Sequence, residues 1–455
     1  MQKKVKELFE TMQGVSGLVG GAVALIRNGK VDTWFFGHSD RETGLPVSEE
    51  TYFDIASCSK SFTAMTAALA VDKGWLDWDT PIQHYLPDFG VADPKLSAGI
   101  TMRDLLSHRT GLPRHDFIDN LKIPDRNELC QHFRHLEATF GLRESYQYNN
   151  QMYTYVGYVL EHITGRTYEQ WLMEDLAREA GLGIRVRSVP GCMEGLEHAK
   201  PYRTNGKKAC RVEYSMCPSE APCGSVRART KDLVDWMRLM AAGGVLNGKR
   251  LVSEEQWTQL LRENIETEPG QAYAMGWRVT KRGEKTVYYH GGDIRGFNSV
   301  MGFLPGEDSG FVVLVNTNGT WAEDIIASYL MDELCGTRQA DLQRDLAAWH
   351  KDREAYDARR RELEQLPAAQ DNTLVGTYFH PAYQQCEISA DSEGLWLDYG
   401  VMRYRLLQKD DEYVGLWRCP FVPEDYEVIT LKKDGSGLLL NTGESTLWFR
   451  FEKNT

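Results

Sequence analysis

The chain of 455 residues has no uninterrupted apolar run of about 18 residues, the length that a membrane-spanning helix needs. Its first segment, MQKKVKELFETMQG, is charged and amphipathic and lacks the apolar centre of a secretory signal, so we expect a cytoplasmic protein with no membrane partner. Basic residues are not in excess either, because 65 Asp and Glu stand against 52 Lys and Arg and the net charge is −13. Such a surface repels phosphate backbones, which argues against nucleic acid as a partner.

Cysteine occurs nine times, but the sequence has no C-x-x-C pair and no zinc-like spacing, so we interpret the cysteines as reduced, mostly buried thiols. His132 and His135 lie three residues apart on a predicted helix, without an acidic partner or a second cluster. Gly243 to Lys249 imitates a phosphate-binding loop, but Arg250 stands where that loop needs Ser or Thr. The sequence therefore predicts neither a metal nor an organic cofactor.

Composition and periodicity divide the chain into three parts. Strand patterns occur at 20–37, 273–280, 285–290, 297–304 and 310–316. Helical and loop patterns fill the gap between them, which predicts an α+β domain over 1–337, with an antiparallel sheet flanked by helices and an α-rich insertion. Residues 338–370 are densely charged with a narrow apolar stripe, and we interpret them as a linker helix packed on its own protein, with a coiled-coil dimer as the alternative. About eight short strands over 371–455 predict a small all-β barrel.

Ser57 is the only serine with a lysine three residues later, in the run Ser57-Cys58-Ser59-Lys60. On a helix this spacing puts both side chains on one face, where the Lys60 amine can help to activate the Ser57 hydroxyl. Cys58 is rotated about 100° from Ser57, so a cysteine nucleophile is the weaker alternative. Ser-x-x-Lys alone is common on surface helices. No serine lies in a Gly-x-Ser-x-Gly run, which excludes the nucleophile elbow of α/β-hydrolases.

The sequence around this run, FDIASCSKSFTAMTAALAVDKGW, resembles the nucleophile segment of the penicillin-recognising serine hydrolases, which include class C β-lactamases, DD-peptidases and related esterases. Three further segments resemble the same superfamily in the same order: ITMRDLLSHRTGLP, the Tyr-x-Asn motif Tyr148-Asn149-Asn150, and the third motif His290-Gly291-Gly292. The resemblance covers about residues 20–335. Some peptidases and esterases of the superfamily carry a C-terminal lipocalin-like barrel, which the strands after 371 resemble.

The resemblance implies roles for four side chains. Ser57 attacks a carbonyl carbon, Lys60 and Tyr148 share the proton transfers, and Asn150 orients the lysine and the substrate amide. The physical chemistry agrees, because an ammonium next to a phenol lowers the pKa of the phenol and makes it a usable base.

The third motif implies the other half of the site. The backbone N–H groups of Ser57 and Asp293 form an oxyanion hole next to Gly291 and Gly292. His290 stands where β-lactamases and DD-peptidases carry a lysine that pairs with the substrate carboxylate. A mostly neutral imidazole is a weaker partner, so we expect β-lactams to be poor substrates. Arg295 could replace the missing charge.

We therefore expect a serine hydrolase that forms an acyl-enzyme at Ser57 and cleaves an ester or amide in a small molecule or peptide, with substrates that contain D-amino acids among the candidates. A β-lactamase or DD-peptidase, an acyltransferase and a non-catalytic penicillin-binding-like module stay open as alternatives. Segments around 110–130 and 190–222, together with the barrel, are expected to line the pocket, and nothing in them identifies the substrate. Homo-oligomer formation also stays open.

Overall fold

A nine-stranded antiparallel sheet forms the centre of the N-terminal domain in the computed structural model, which describes residues 1–213, 217–422, 425–443 and 445–454. Residues 214–216 of the expected pocket wall thus lie outside the described residues. The strands are, in spatial order, Ile265–Glu268, Gln271–Tyr273, Arg278–Arg282, Lys285–Ile294, Phe297–Phe303, Gly310–Val315, Gly20–Arg27, Lys30–Asp40 and Leu45–Pro46. Ala22 lies opposite both Leu314 and Phe35, so the sheet joins the two ends of the domain sequence, as predicted.

Helices cover both faces of this sheet, which explains why the strand Gly20–Arg27 is apolar on both sides. The helices Gln2–Ser16 and Ala322–Cys335 pack on one face through Leu8 and Ile326. The opposite face packs against the helices Ser59–Asp72 and Thr230–Ala241 and the α-rich insertion. The remaining helices of this domain are Pro94–Gly99, Met102–Leu106, Arg126–Phe133, Asn150–Thr164, Tyr168–Gln170, Arg178–Ala180, Ala221–Gly224 and Glu254–Leu261, together with 3₁₀ turns at Ala56–Cys58, Ile82–His84, Asp116–Leu121 and Pro218–Glu220 and a π-helical turn at Trp171–Ala177.

Short strands complete the domain in three small sheets. They are Phe53–Asp54 with Val226–Ala228 and Arg185–Val186, Thr317–Asn318 with Tyr202–Thr204 and Ala209–Arg211, and Val245–Leu246 with Lys249–Arg250. The last pair contains the run that imitates a phosphate-binding loop, and it is an antiparallel hairpin.

The helix Leu342–Glu364 leads from this domain to the barrel. It packs on its own chain, since Trp349 is buried and donates from Nε1 to the carbonyl oxygen of Gly319 at 3.1 Å. After a 3₁₀ turn at Asn372–Leu374, eight strands form a closed barrel: Gly376–His380, Gln384–Asp391, Gly394–Tyr399, Met402–Lys409, Glu412–Arg418, Tyr426–Asp434, Gly437–Asn441 and Phe449–Lys453. The predicted α+β fold with a C-terminal barrel is confirmed.

One predicted strand is wrong in its extent. The pattern at 273–280 suggests a single strand, but the chain leaves the sheet after Tyr273 and returns at Arg278. Gly276, at φ 80°, lies in this break, and a Cβ there would be 2.8 Å from the carbonyl oxygen of Lys60. The chain bends at this point because it must pass close to the helix that carries the Ser-x-x-Lys run.

Among the described residues, no helix is both long and apolar enough to cross a membrane. All nine cysteines are free thiols, and six of them are buried.

Candidate active site

Ser57 lies in a tight turn between a short strand and a helix. The 3₁₀ turn Ala56–Cys58 leads directly into the helix Ser59–Asp72. Ala56 has a φ of 46°, in the left-handed region that residues with a Cβ rarely adopt. The bend leaves Ser57 partly exposed, whereas every residue from 59 to 70 is buried.

The amine of Lys60 is buried and makes three hydrogen bonds. It donates to Ser57 Oγ at 3.0 Å, to Asn150 Oδ1 at 2.8 Å and to the carbonyl oxygen of Cys223 at 2.9 Å. An ammonium has three donors, so these contacts use all of them. The three acceptors are uncharged, which leaves Lys60 without a carboxylate in direct contact.

Cys58 points away from this group. Its Sγ donates to the carbonyl oxygen of His290 at 3.2 Å inside the protein. Burial raises the pKa of the Cys58 thiol to about 12, so the thiolate is absent at neutral pH. The geometry therefore favours Ser57 over Cys58 as the reactive group.

Tyr148 directly precedes the N-terminus of the helix Asn150–Thr164. Asn149 caps this helix, since its Oδ1 accepts a hydrogen bond from the N–H of Met152 at 3.1 Å. Tyr148 is partly exposed, and its ring centroid lies 4.9 Å from Lys60 Nζ. The structure thus brings the Tyr-x-Asn motif to the Ser-x-x-Lys motif.

Asn150 is held from two sides. Its Oδ1 accepts from Lys60, and its Nδ2 donates to Asp116 Oδ1 at 3.1 Å. A carboxylate only accepts hydrogen bonds, so Asp116 fixes the amide with its oxygen toward the lysine. Sequence reasoning missed Asp116, because no motif spacing marks an acid in the loop after residue 113.

His108 is a second residue that sequence reasoning missed, although it lies in the ITMRDLLSHRTGLP segment. Its Nδ1 accepts from the N–H of Asn149 at 3.1 Å, and its ring centroid lies 4.3 Å from that of Tyr148. Burial, with the charge of Lys60 adding to it, holds the pKa of His108 well below its usual range. The neutral ring therefore carries its proton on Nε2, which has no hydrogen-bond partner among the described residues.

His290 lies on the strand Lys285–Ile294, 2% exposed, with its ring centroid 6.2 Å from that of Tyr148. Nδ1 donates to the carbonyl oxygen of Gly291 at 2.6 Å, and Nε2 accepts from the Tyr273 hydroxyl at 2.9 Å. Burial, followed by the charges of Arg278 and Lys60, holds the pKa of His290 well below its usual range. The imidazole is therefore neutral at neutral pH, and both ring nitrogens are already engaged.

The glycines after His290 let the strand touch the Ser57 turn. A Cβ on Gly292 would lie 2.3 Å from the carbonyl oxygen of Ile55 and 3.1 Å from the backbone nitrogen of Ser57. A Cβ on Gly291 would meet only ordinary contacts. The Asp293 side chain is exposed and accepts from Asn298 Nδ2 at 3.0 Å. The backbone at Gly292 and Asp293 thus runs next to the Ser57 N–H group.

Arg295 turns from the end of this strand toward the barrel. Its guanidinium lies 5.5 Å from the ring centroid of Trp417 and 4.0 Å from Glu427 Oε1. Trp417 and Glu427 are direct cross-strand partners in the barrel, so they present a ring and a carboxylate side by side. Arg295, the cation considered as a substitute for the missing lysine, thus lies next to the barrel.

Two buried carboxyls lie near Asp116. Asp119 accepts from Gln151 Nε2 at 3.0 Å, and burial, with the charges of Glu220 and Asp116, raises its pKa well above the usual range. Burial also raises the pKa of Glu220 to about 7, against the opposing charge of Lys122. Burial on this side of the site therefore favours the protonated form of both carboxyls.

In the described parts of the chain, no group of three or more His, Cys, Asp and Glu residues could hold a metal ion. His132, one of the histidines weighed as a ligand, instead contacts the barrel through Gln384 Nε2 at 2.9 Å.

Comparison with protein families matches residues 5–335 to the family described as Beta-lactamase. Among curated proteins, an unguisins hydrolase of Aspergillus campestris is 27% identical over 396 residues, which are 80% of this chain and 73% of that protein.

Solved structures extend the likeness to the whole chain. An octameric penicillin-binding protein homologue from Pyrococcus abyssi superposes with a TM-score of 0.65 at 17% identity and covers 99% of both chains. A class C β-lactamase from Rhodobacter sphaeroides, with a TM-score of 0.61 at 20% identity, covers 72% of this chain and 99% of its own. The family match spans well over half of the sequence, and the chain belongs to the beta-lactamase family.

Proposed function

We propose that this protein is a serine hydrolase that forms an acyl-enzyme on Ser57 and cleaves an ester or amide. The observation that carries the proposal is the contact of Lys60 Nζ with Ser57 Oγ at 3.0 Å, in a site where Asn150 and the Cys223 carbonyl hold the same amine. An amine held this way is positioned to accept or relay the serine proton.

The reaction follows from this arrangement. Ser57 Oγ attacks the substrate carbonyl carbon while its proton passes to the Lys60–Tyr148 pair. The N–H groups of Ser57 and Asp293 stabilise the oxyanion, and the close approach at Gly292 supports this placement. The pair then protonates the leaving amine or alcohol. Water, deprotonated by the same pair, attacks the acyl carbon, releases the acid and returns the proton to Ser57.

The substrates that the site favours are neutral esters and amides, including peptide amides with a D-configured residue. His290 is neutral and fully hydrogen-bonded, and Arg295 is paired with Glu427, so neither offers a free positive charge to a substrate carboxylate. Loss of one charge-assisted contact costs on the order of 1.5–3 kcal/mol, which is one to two decades in efficiency. This supports a hydrolase that uses β-lactams poorly. The similarity to an unguisins hydrolase supports hydrolase activity.

The test is covalent labelling combined with a substrate panel. A fluorophosphonate probe should add one adduct to the intact mass of the wild-type protein and none to Ser57→Ala. Cys58→Ala, the matched neighbour, should keep most of the labelling because its thiol points into the protein. Labelling that persists in Ser57→Ala would contradict the assignment.

The panel pairs short-chain nitrophenyl esters with D- and L-aminoacyl anilides and a chromogenic cephalosporin. We expect a higher kcat/KM for a neutral ester or anilide than for the cephalosporin. The reverse order would favour a β-lactamase, and neither labelling nor turnover would favour a binding module. Transfer of the acyl group to an added amine in preference to water would favour an acyltransferase.

A further inference from the structure

Residues 115–121, which we call the docking segment, lie between the barrel and the catalytic centre. The segment consists of the 3₁₀ turn Asp116–Leu121 and its cap residue His115. Asp116 contacts Asn150 on one side, and Phe117 contacts the barrel on the other. Asp116, which orients the predicted catalytic residue Asn150, therefore lies on a turn that contacts the barrel.

The barrel contacts this segment through an aromatic ring and through a backbone hydrogen bond. Phe117 stacks on Tyr399 with ring centroids 4.1 Å apart and an interplanar angle of 6°. The N–H of Val401 donates to the carbonyl oxygen of Asn120 at 2.9 Å. Between them, Gly400 has a φ of 55°, and a Cβ there would lie 2.0 Å from the same carbonyl oxygen. Only glycine lets the barrel turn come this close.

A third contact is a buried hydrogen bond. His115 Nε2 lies 3.0 Å from the carbonyl oxygen of Glu137, so this nitrogen carries the proton. His115 Nδ1 is then the acceptor, and the hydroxyl of Tyr383 in the barrel donates to it at 2.7 Å. The segment is thus fixed by the barrel at both of its ends and through Phe117.

We propose that Tyr399 and Gly400 of the barrel are positioning residues for the active site: by holding the docking segment they hold Asp116, which orients Asn150 toward Lys60. The proposal rests on the proposed function, since it concerns the rate of acylation at Ser57. If Asp116 moves away, the Asn150 amide loses the acceptor that fixes its orientation. Rotation of that amide would turn its NH₂ toward Lys60, a donor facing a donor, and the amine would lose one of its three acceptors.

The first experiment compares Tyr399→Ala with Tyr399→Phe. The Tyr399 hydroxyl has no hydrogen-bond partner among the described residues, so phenylalanine keeps the stacking and loses nothing. Trp396→Ala is the matched control, because Trp396 lies on the same strand but its side chain is on the opposite face. With a neutral nitrophenyl ester, Tyr399→Ala should lower kcat about three- to tenfold with little change in KM. Tyr399→Phe and Trp396→Ala should retain wild-type kcat.

The second experiment is a double-mutant cycle that combines changes at Asp116 and Tyr399. Asp116→Ala should lower kcat about ten- to a hundredfold, because it removes the acceptor itself. In the Asp116→Ala background, Tyr399→Ala should have no further effect on kcat. Should Tyr399→Ala fail to fold, Phe117→Leu, which keeps apolar volume and loses the ring pair, takes its place in the same cycle.

Two results would overturn the proposal: a folded Tyr399→Ala with wild-type kcat, or losses that multiply in the double variant. A Tyr399→Ala variant with a lower melting temperature and an unchanged kcat would likewise show that the contact is purely structural. Failure of the proposed function looks different, because the wild-type protein itself would then show neither labelling at Ser57 nor turnover.

Discussion

Two of the regions in which the barrel contacts the N-terminal domain differ in burial and in chemistry. At the docking segment the contact centres on a buried aromatic pair, with Phe117 only 4% exposed. The second region, which we call the rim contact, pairs Arg203 with Asp425 and Arg295 with Glu427. The Glu427 side chain is 52% exposed. The docking segment is held by packing, and the rim contact is held by ion pairs.

This difference bears on what each region can do for the site. Buried ring pairs and backbone contacts tolerate little displacement, so the docking segment is suited to hold a neighbouring side chain in place. The exposed pair of Arg295 and Glu427 contributes at most about 1 kcal/mol and permits small movements, so this part of the rim contact is suited to adjust local charge. Within the rim, Asp425 is the more buried acid and also accepts from the Tyr356 hydroxyl of the linker helix at 2.9 Å.

The largest effect on stability is expected at Gly400, where the barrel turn meets the docking segment. Gly400→Ala would place a Cβ 2.0 Å from the Asn120 carbonyl oxygen in a backbone of positive φ, so the free energy of unfolding should fall by about 2–4 kcal/mol. Gly435→Ala is the matched control, because Gly435 has a φ of 60° in another barrel turn and nothing within 4 Å. Urea unfolding measures both. Equal losses would mean that backbone strain, and not the close contact, explains the effect.

The next effect is expected at Asp425. Asp425→Asn keeps the shape of the side chain but removes the charge opposite Arg203, and should lower the free energy of unfolding by about 1–3 kcal/mol. Asp434→Asn, at the exposed far end of the strand that begins after Asp425, should change it by less than about 0.5 kcal/mol. If both variants are equally stable, the Arg203 pair adds nothing to the docking of the barrel.

A change of pH should affect the stability around the docking segment, since Glu220 lies near it with a pKa raised to about 7 by burial. Below pH 4.5, the usual pKa of a glutamate, Glu220 is protonated in both the folded and the unfolded protein. Between pH 4.5 and 7 it ionises in the unfolded protein first, so the free energy of unfolding falls as pH rises and levels off above pH 7. Glu220→Gln should therefore match the wild type at pH 4 and be more stable at pH 8, by on the order of 1 kcal/mol. Thermal unfolding at both pH values measures this, and a gain of equal size at pH 4 would contradict it.

The smallest effect is expected at Glu427. Glu427→Gln should release the charge of Arg295 and raise kcat/KM for a carboxylate-bearing cephalosporin, relative to its methyl ester, about two- to fivefold. Glu412→Gln, which breaks a barrel ion pair with Lys432, should leave that ratio unchanged. An unchanged ratio in Glu427→Gln would show that Arg295 does not face the substrate carboxylate.

Sequence reasoning reached the fold because its signals are local. The Asn28-Gly29 turn within residues 20–37, the apolar strands and the short alternating strands after 371 each specify their own element. The beta-lactamase motifs set the order. The four motif residues Ser57, Lys60, Tyr148 and Asn150 lie together in the structure, where three of them are joined by hydrogen bonds through Lys60. Their roles in catalysis stay predictions.

The residues that sequence reasoning missed depend on contacts between distant segments. Asp116 matters because a loop places it opposite Asn150, and Tyr399 matters because it stacks on the neighbour of Asp116. Neither has a motif, a spacing or a periodicity of its own. The break in the predicted strand at 273–280 has the same origin, since Gly276 bends to pass the carbonyl oxygen of Lys60.

The closure of the barrel depends on its last strand. The strand Phe449–Lys453 pairs with the first barrel strand at Tyr378 with Lys453 and at Phe379 with Glu452. Its removal would expose two sheet edges, which are templates for aggregation. It would also remove Phe449, whose ring lies 4.6 Å from that of Tyr383, the residue that bonds to the docking segment. Loss of this strand would thus act through packing alone on the site that contains Ser57, the proposed nucleophile.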